Sequence, residues 1–303
     1  MQRIIKLFTL VATLTLGLFS GSILAATKSF AGVNYGPFHK DGQGPGTAIP
    51  DSQFLTDLGT MASKFKYIKT YGVDTQSRLN HLVPLASQKY PNLKIYLGIY
   101  EDGNNHKGVT QPQLDLAIAQ ANAYPNTVVC VVVGNECLPG DSTSVPVTVQ
   151  QLTSDLQYVR SKITNKNILV TTCLSYGGAQ NYGNQLTPYC DFMMVNIYPF
   201  YGRVSIAGAW QNLVDAYNMF VNQFAGKQVM VGETGWPSAG PSNGSAVPNV
   251  ANEKACILQI LSRGSQLGPI FLFEAFDEPW KTENPWAPHW GLWDKNGKAK
   301  FSF

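Results

Sequence analysis

Charged residues are scarce in this sequence. They make up 14% of its 303 residues, against about 25% in a typical globular chain. With 44% hydrophobic residues, this composition excludes a disordered chain and a coiled coil. The formal charge is only +3, and two of the cations, Arg3 and Lys6, lie at the extreme N-terminus. We therefore expect no binding to nucleic acid and no basic membrane-binding patch, and a neutral partner fits best.

Long apolar runs are also lacking. The longest, residues 7–19, is shorter than the roughly 18 to 20 residues of a membrane-spanning helix. It follows two cations and precedes Ala25 and Ala26, a pattern typical of a secretory signal peptide. The sequence predicts a signal peptide over residues 1–26 and a secreted or periplasmic domain over 27–303, free of the membrane after processing. An uncleaved anchor is the alternative.

Cysteine and histidine are few. The five cysteines form no C-x-x-C pair and the four histidines are scattered, so no zinc or other metal site is predicted. An odd number leaves at least one cysteine unpaired, and any pairing among the others stays open. Cys130 lies in an apolar run, which predicts a buried small side chain.

Eight short β-rich runs alternate with helical patterns. Several, such as VVCVVV and IFLF, are continuously apolar, as in parallel strands covered by helices on both faces. One apolar helical stripe starts at Ile206 and would end at Gly226, and a second starts at Leu152. Asp51 and Thr110 are candidate N-caps of two other helices. The strand runs are residues 30–35, 67–71, 94–100, 127–136, 167–175, 191–198, 228–233 and 269–276.

The absence of a linker or a break in composition favours one closed barrel over two doubly wound domains. We predict an α/β fold, a single (β/α)8 TIM barrel over 27–303. Beyond Trp280 the chain is rich in turn residues. The last helix should therefore be reduced or replaced by a loop.

Carboxylates follow several of these strands. The fourth run ends in Asn135 and Glu136, and the seventh ends in Glu233. Glu274, Asp277 and Glu278 lie at the end of the eighth. Active sites of such barrels lie at the carboxyl ends of the strands. One such glutamate alone could be a solvated loop charge, but two that close very apolar strands are the equipment for cleaving a glycosidic bond.

Aromatic and amide side chains lie at the same strand ends. Flat rings pack against the apolar faces of sugars and amides bind hydroxyls, although some of these residues could be ordinary packing or turn residues. The aromatic and amide candidates for substrate binding are Asn34, Tyr35, Tyr71, Asn135, Asn196, Tyr198, Tyr201, Trp236 and Trp280. The carboxylate Glu101, just after the third run, is a further candidate.

Several segments together resemble glycoside hydrolase family 17: GVNYG, VVVGNE, VNIYPF, VGETGWPS, and FEAFDEPWK followed by HWGLWD. The resemblance covers nearly all of residues 27–303 and is nearer to bacterial and fungal members than to plant ones. It implies a retaining β-1,3-glucan hydrolase or glucanosyltransferase on a (β/α)8 barrel. Glu136 in GNE would be the acid/base and Glu233 in GETGWPS the nucleophile.

The same resemblance implies that Glu278 and Lys281 form an acidic and basic pair that binds near substrate and orients the nucleophile. A further glutamate of the plant members is missing, because that place reads Ala287-Pro288-His289. The implied partner is β-1,3-glucan or its oligosaccharides. We expect a monomer.

In the implied mechanism Glu136 starts protonated and Glu233 ionised. At the roughly 5.5 Å typical of retaining sites, repulsion between the two charges is about 3 kcal/mol at an effective dielectric near 20, or about two pKa units. Asn135 would hold the sugar 2-hydroxyl. The chemistry needs neither a metal nor an organic cofactor.

Three alternative functions compete with this interpretation. Residues 240–244 fit the G-x-S-x-G pattern, and Asp277 and His289 follow in esterase order, but Pro-containing loops replace the strand and helix that a nucleophile elbow needs. A glucan-binding barrel without catalysis would keep the aromatic residues but would not need both Glu136 and Glu233. A plain endo-β-1,3-glucanase would hydrolyse without transferring glucan.

Overall fold

The computed structural model describes residues 31–141 and 143–303, and the predicted signal peptide, residues 1–26, lies outside them. Its eight strands are all parallel and form one closed barrel in chain order, with the last strand paired to the first. This confirms the predicted single (β/α)8 barrel. The strands are β1 Ala31–Asn34, β2 Tyr67–Lys69, β3 Lys94–Ile99, β4 Val128–Asn135, β5 Leu169–Leu174, β6 Met193–Asn196, β7 Val229–Thr234 and β8 Ile270–Leu272.

Seven α-helices alternate with these strands. After β8 the chain forms only a short 3-10 turn, Ala287–His289, as far as residue 303. The predicted loss of the eighth helix is therefore confirmed. The helices are α1 Asp51–Ala62, α2 Leu82–Lys89, α3 Gln111–Ala123, α4 Val149–Lys162, α5 Tyr176–Leu186, α6 Ala209–Gln223 and α7 Val250–Arg263.

Two of the predicted helix starts differ in detail. Asp51 is the first residue of α1 rather than its cap, and its carboxylate accepts a hydrogen bond from Arg78 at 2.8 Å. Thr110 does precede α3, but its hydroxyl accepts from the backbone N–H of Asp102 at 2.8 Å. The reason is a π-helical turn, His106–Thr110, that runs directly into α3. Gly226, with φ of +87°, lies just beyond α6 as predicted.

The core has two layers, because successive strand residues point to opposite faces. In β4, Val131 and Val133 pack outward against the helices, whereas Cys130 and Val132 belong to a smaller cluster that fills the barrel. Cys130 is fully buried, which confirms that prediction, and all five cysteines are free and buried. Among the described residues, no helix combines the length and apolarity needed to cross a bilayer.

Candidate active site

One large cavity opens at the carboxyl ends of the strands. Its volume is about 1450 Å³, above the roughly 300–1,000 Å³ of typical small-molecule sites. All of the sequence-predicted site residues except Asn34 and Trp236 line it. The fold therefore brings together side chains from β4, β6 and β7 and from the loops that follow the strands, in a space large enough for several sugar units.

Glu233, near the end of β7, is 4% exposed and is held on both carboxylate oxygens. Lys69 Nζ lies 2.9 Å from Oε1, and the Tyr198 hydroxyl donates to Oε2 at 2.5 Å. Charge-assisted hydrogen bonds of this kind stabilise the ionised carboxylate and fix its orientation. The Glu233 carboxyl is thus held in one orientation on the cavity wall.

Lys69 is the last residue of β2 and is completely buried. Its ammonium has three protons to donate, and the structure supplies three acceptors: Glu233 Oε1, Asn34 Oδ1 at 2.9 Å and Asn135 Oδ1 at 3.1 Å. The ammonium also lies 4.3 Å from the ring centroid of Tyr71. A buried cation that is fully hydrogen-bonded in this way holds the ends of four strands in one arrangement.

Glu136 directly follows β4 and is only half buried, unlike Glu233. Its pKa is raised to about 7, first by burial and then by the charge of Glu233. Asn196 Nδ2 donates to Glu136 Oε1 at 2.8 Å and lowers the pKa in part. The direction agrees with the predicted charge repulsion, but burial is the larger cause. At neutral pH a substantial share of Glu136 therefore carries a proton.

The backbone at the end of β4 is unusual. Gly134 and Glu136 both have positive φ, +73° and +47°. A side chain at Gly134 would meet the Cys137 sulfur at 2.5 Å, so only glycine fits there. A non-glycine residue such as Glu136 in this region carries backbone strain, a feature that clusters at functional sites.

A buried thiol orients the amide beside Glu136. Burial raises the pKa of Cys173, so the thiol stays protonated. Its Sγ–H donates to Asn196 Oδ1 at 2.9 Å. The amide oxygen therefore faces Cys173, and the Nδ2 donor faces Glu136.

A second charged cluster lies beside the cavity. Lys281 Nζ lies 2.5 Å from Glu278 Oε2 and 2.7 Å from Glu274 Oε2. Burial alone would lower the pKa of Lys281, but the charges of Glu274 and then Glu278 raise it above its usual value. A Cβ at Gly36 would overlap Glu278 Oε1. The predicted Glu278 and Lys281 pair is thus in contact, with Glu274 as a second acid.

Four aromatic side chains of the cavity are open to solvent, and Tyr100 at 45% exposure and Tyr176 at 41% are two of them. Tyr201 is 47% exposed and Trp280 is 36% exposed. Tyr35, by contrast, is 1% exposed, and its hydroxyl donates to Asp57 at 2.7 Å, in the direction of α1. Tyr201 and Trp280 therefore have free ring surface for a ligand, whereas Tyr35 is anchored in the core.

Asn34, Trp236 and Glu101 were predicted to contact substrate, and all three are buried. Asn34 is fully buried and donates to the carbonyls of Gly232 and Leu272, both at 3.1 Å. Trp236 is also fully buried, and its indole N–H donates to the Val247 carbonyl at 3.0 Å. Neither side chain lines the cavity. Glu101 borders the cavity, but both of its carboxylate oxygens are buried.

Sequence reasoning missed Lys69 and left Glu274 out of the predicted site. A single lysine inside the β-rich run 67–71 was a usable signal, because an unpaired ammonium is not tolerated in a barrel. Glu274 was visible as a strand-end carboxylate. Its partner Lys281 could be recognised as such only from the fold. The G-x-S-x-G pattern at residues 240–244 lies between β7 and α7 with no strand leading into it.

A closed (β/α)8 barrel with two glutamates in one strand-end cavity is an architecture of glycoside hydrolases. The family profile of the BtgE/BtgC glycoside hydrolase domain matches residues 32–291. The chain belongs to this family. The resemblance to glycoside hydrolase family 17 is thereby confirmed.

Curated relatives are similar over most of this chain. It is 27% identical to the probable glucan endo-1,3-beta-glucosidase btgC of Aspergillus fumigatus, over 90% of this chain and 43% of that protein. It is 29% identical to the probable family 17 glucosidase SCW10 of Saccharomyces cerevisiae, over 86% of this chain and 64% of that protein. The chain thus spans less than half the length of the btgC relatives.

Solved structures share the fold. An endo-laminarinase from Formosa Hel1_33_131 has a TM-score of 0.77 at 19% identity, covering 90% of this chain and 84% of the other. An active-site mutant of a Rhizomucor miehei beta-1,3-glucanosyltransferase in complex with laminaritriose has a TM-score of 0.74 at 24% identity, covering 90% and 96%. At these identities the likeness supports the barrel architecture.

Proposed function

We propose that this protein cleaves β-1,3-glucan with retention of configuration, through a covalent glucosyl-enzyme. The observation that carries the proposal is the contrast between two carboxyls of one cavity. Glu136 has a pKa of about 7, whereas Glu233 is bound by a lysine ammonium and a tyrosine hydroxyl. One acid and one anion are what a retaining glycosidase needs. The names of the curated relatives and of the laminaritriose complex support the substrate class.

In the first step Glu233 attacks the anomeric carbon, and the bond to the departing oxygen breaks as Glu136 gives that oxygen its proton. Glu233 loses its charge in the new ester. The pKa of Glu136 then falls, since the charge of Glu233 is one of the causes that raise it. Glu136 next takes a proton from water, or from an acceptor sugar hydroxyl, whose oxygen attacks the anomeric carbon and releases Glu233.

The cluster of Glu274, Glu278 and Lys281 and the exposed rings of Tyr201 and Trp280 would bind and position the glucan. With acceptor sugars held on these rings, the glucosyl-enzyme would also transfer glucan. A plain endo-β-1,3-glucanase is the second candidate. The similarity to the Candida albicans cell surface mannoprotein MP65, 28% identical over 86% of this chain, supports an extracytoplasmic site of action.

The experiment compares Glu233→Gln and Glu136→Ala with the wild type on linear β-1,3-glucan oligosaccharides. Glu233→Gln should be folded and inactive. Glu136→Ala should lose glucan cleavage, keep activity on substrates with a good leaving group, and be accelerated by azide. Proton NMR of the first wild-type products should show the β-anomer. An initial α-anomer, or near wild-type turnover by folded Glu233→Gln, would overturn the proposal.

A further inference from the structure

Three potential metal ligands converge where Glu101 borders the cavity. Glu101 follows β3, His106 begins the π-helical turn before α3, and Asp155 lies in α4. One donor atom from each lies within 4.8 Å of the other two. The sequence did not reveal this cluster, because only one member is a histidine and Asp155 lies 49 positions beyond His106. The barrel fold brings the residues together.

Glu101 is the residue that lacks a partner. It is 2% exposed, and neither of its carboxylate oxygens has a hydrogen-bond partner. Burial, followed by the charge of Asp155, raises its pKa to about 8. A buried carboxyl with unmatched oxygens is costly unless something binds it.

The other two members of the cluster are in direct contact. His106 Nε2 lies 2.9 Å from Asp155 Oδ2. The Gln151 side-chain amide donates to both Asp155 oxygens at 3.2 Å. Asp155 is therefore held in place beside the imidazole, whereas Glu101 is held by no side chain.

A cation would supply the partner that the Glu101 oxygens lack, because it accepts lone pairs from the imidazole and both carboxylates at once. We propose that Glu101, His106 and Asp155 bind one divalent transition-metal ion of the Zn²⁺ class. The imidazole nitrogen favours zinc over calcium or magnesium, and carboxylate oxygens are accepted ligands of zinc. The ion takes part in no step of glycoside cleavage. It ties the segment after β3 to α4 and so stiffens the cavity wall that Glu101 borders.

The test uses the whole protein after treatment with EDTA and dialysis. Calorimetric titration with ZnCl₂ should give one ion per chain, and Ca²⁺ should bind far more weakly. At a Zn²⁺ concentration about 100 times the Kd, the Tm should rise by roughly 5 °C or more. Anomalous scattering at the zinc edge should place the ion between the three donor atoms. Absence of Zn²⁺ binding by the wild type, or tighter binding of Ca²⁺, would overturn the proposal.

Variants then locate the site. Glu101→Gln and His106→Ala should each abolish the Zn²⁺-dependent rise in Tm. The matched control is His81→Ala, since His81 also lies 3.0 Å from an aspartate, Asp51, but at a half-exposed site. His81→Ala should keep the full response. The assignment would be refuted if folded Glu101→Gln kept the Zn²⁺-dependent rise in Tm, or if His81→Ala lost it. If a variant does not fold, the position of the anomalous signal in the wild type decides.

Discussion

The Lys69 ammonium lies 2.9 Å from Glu233 Oε1 inside the barrel, and both side chains are almost completely removed from solvent. Lys69 donates its other two protons to Asn34 and Asn135. Desolvation of two charges offsets much of their attraction, so a buried pair of this kind adds little net stability. Removal of one partner, however, leaves the other buried and uncompensated. The contact with Lys69 therefore fixes the position of the Glu233 carboxyl.

Lys69→Met tests this relationship. The change should lower the free energy of unfolding by about 3–5 kcal/mol and reduce kcat by about 100-fold or more. The double variant Lys69→Met/Glu233→Gln should melt at a higher temperature than Lys69→Met alone, because it no longer contains an unpaired buried carboxylate. Thermal unfolding of the two variants measures this difference. A double variant that is less stable than the single one would contradict the electrostatic account.

The pH profile tests the state of Glu136. Because the proposed acid must carry its proton and its pKa is about 7, kcat/KM should fall as the pH rises through about 7. Asn196 donates to Glu136 and lowers its pKa. Asn196→Ala should therefore raise that pKa and move the alkaline limb to higher pH, by up to about one unit.

Cys173→Ser is the matched control for Asn196→Ala. A serine hydroxyl keeps a donor toward Asn196 Oδ1, so the alkaline limb should stay within a few tenths of a unit of the wild type. The measurement is kcat/KM against pH, since this ratio reports the free enzyme. An alkaline limb that moves to lower pH in Asn196→Ala would show that Asn196 does not stabilise the ionised acid.

Two glycines near the cavity form a second matched pair. A methyl group at Gly36 would overlap Glu278 Oε1, whereas at Gly44 it would meet Trp280 Cβ at 3.7 Å, an ordinary contact. Gly36→Ala should displace Glu278 from Lys281 and reduce kcat/KM at least about tenfold, and Gly44→Ala should stay within about twofold. Kinetics on the same oligosaccharide, with circular dichroism to verify folding, distinguish them. Equal activity of the two variants would refute a role for the position of Glu278.

The barrel was predictable because its signal is local. Each apolar run, such as residues 127–136 around β4, is buried on both faces, and eight such runs alternate with helical patterns. The strand-end glutamates were predictable for the same reason, since a carboxylate that closes an apolar strand stands out in the sequence. The exact start of α1 was not, because Asp51 binds Arg78 from a distant loop.

Contacts across the barrel were beyond reach of sequence reasoning. Lys69 and Glu233 lie 164 positions apart, and only the closed sheet brings them together. The same holds for Trp236. It follows a strand-end glutamate, but its side chain packs edge-on against Phe200, with the ring centroids 5.3 Å apart. Position along a strand predicts which end of the barrel a residue occupies. It does not predict which way a loop side chain turns.

The exposed rings of Tyr201 and Trp280 lead to a prediction about the transfer of glucan to an acceptor sugar. The glucosyl-enzyme partitions between water, at about 55 M, and an acceptor sugar, so transfer needs an acceptor held at a high effective concentration. Tyr201→Ala and Trp280→Ala should therefore lower the ratio of lengthened to shortened products more than they lower total turnover. The control is Tyr189→Ala, because Tyr189 is 38% exposed but does not line the cavity. Time-resolved product analysis at millimolar substrate and after dilution measures the ratio. If the wild type forms only shorter products across that range, the protein is a plain endo-β-1,3-glucanase. If Tyr189→Ala loses transfer equally, Tyr201 and Trp280 do not bind the acceptor sugar.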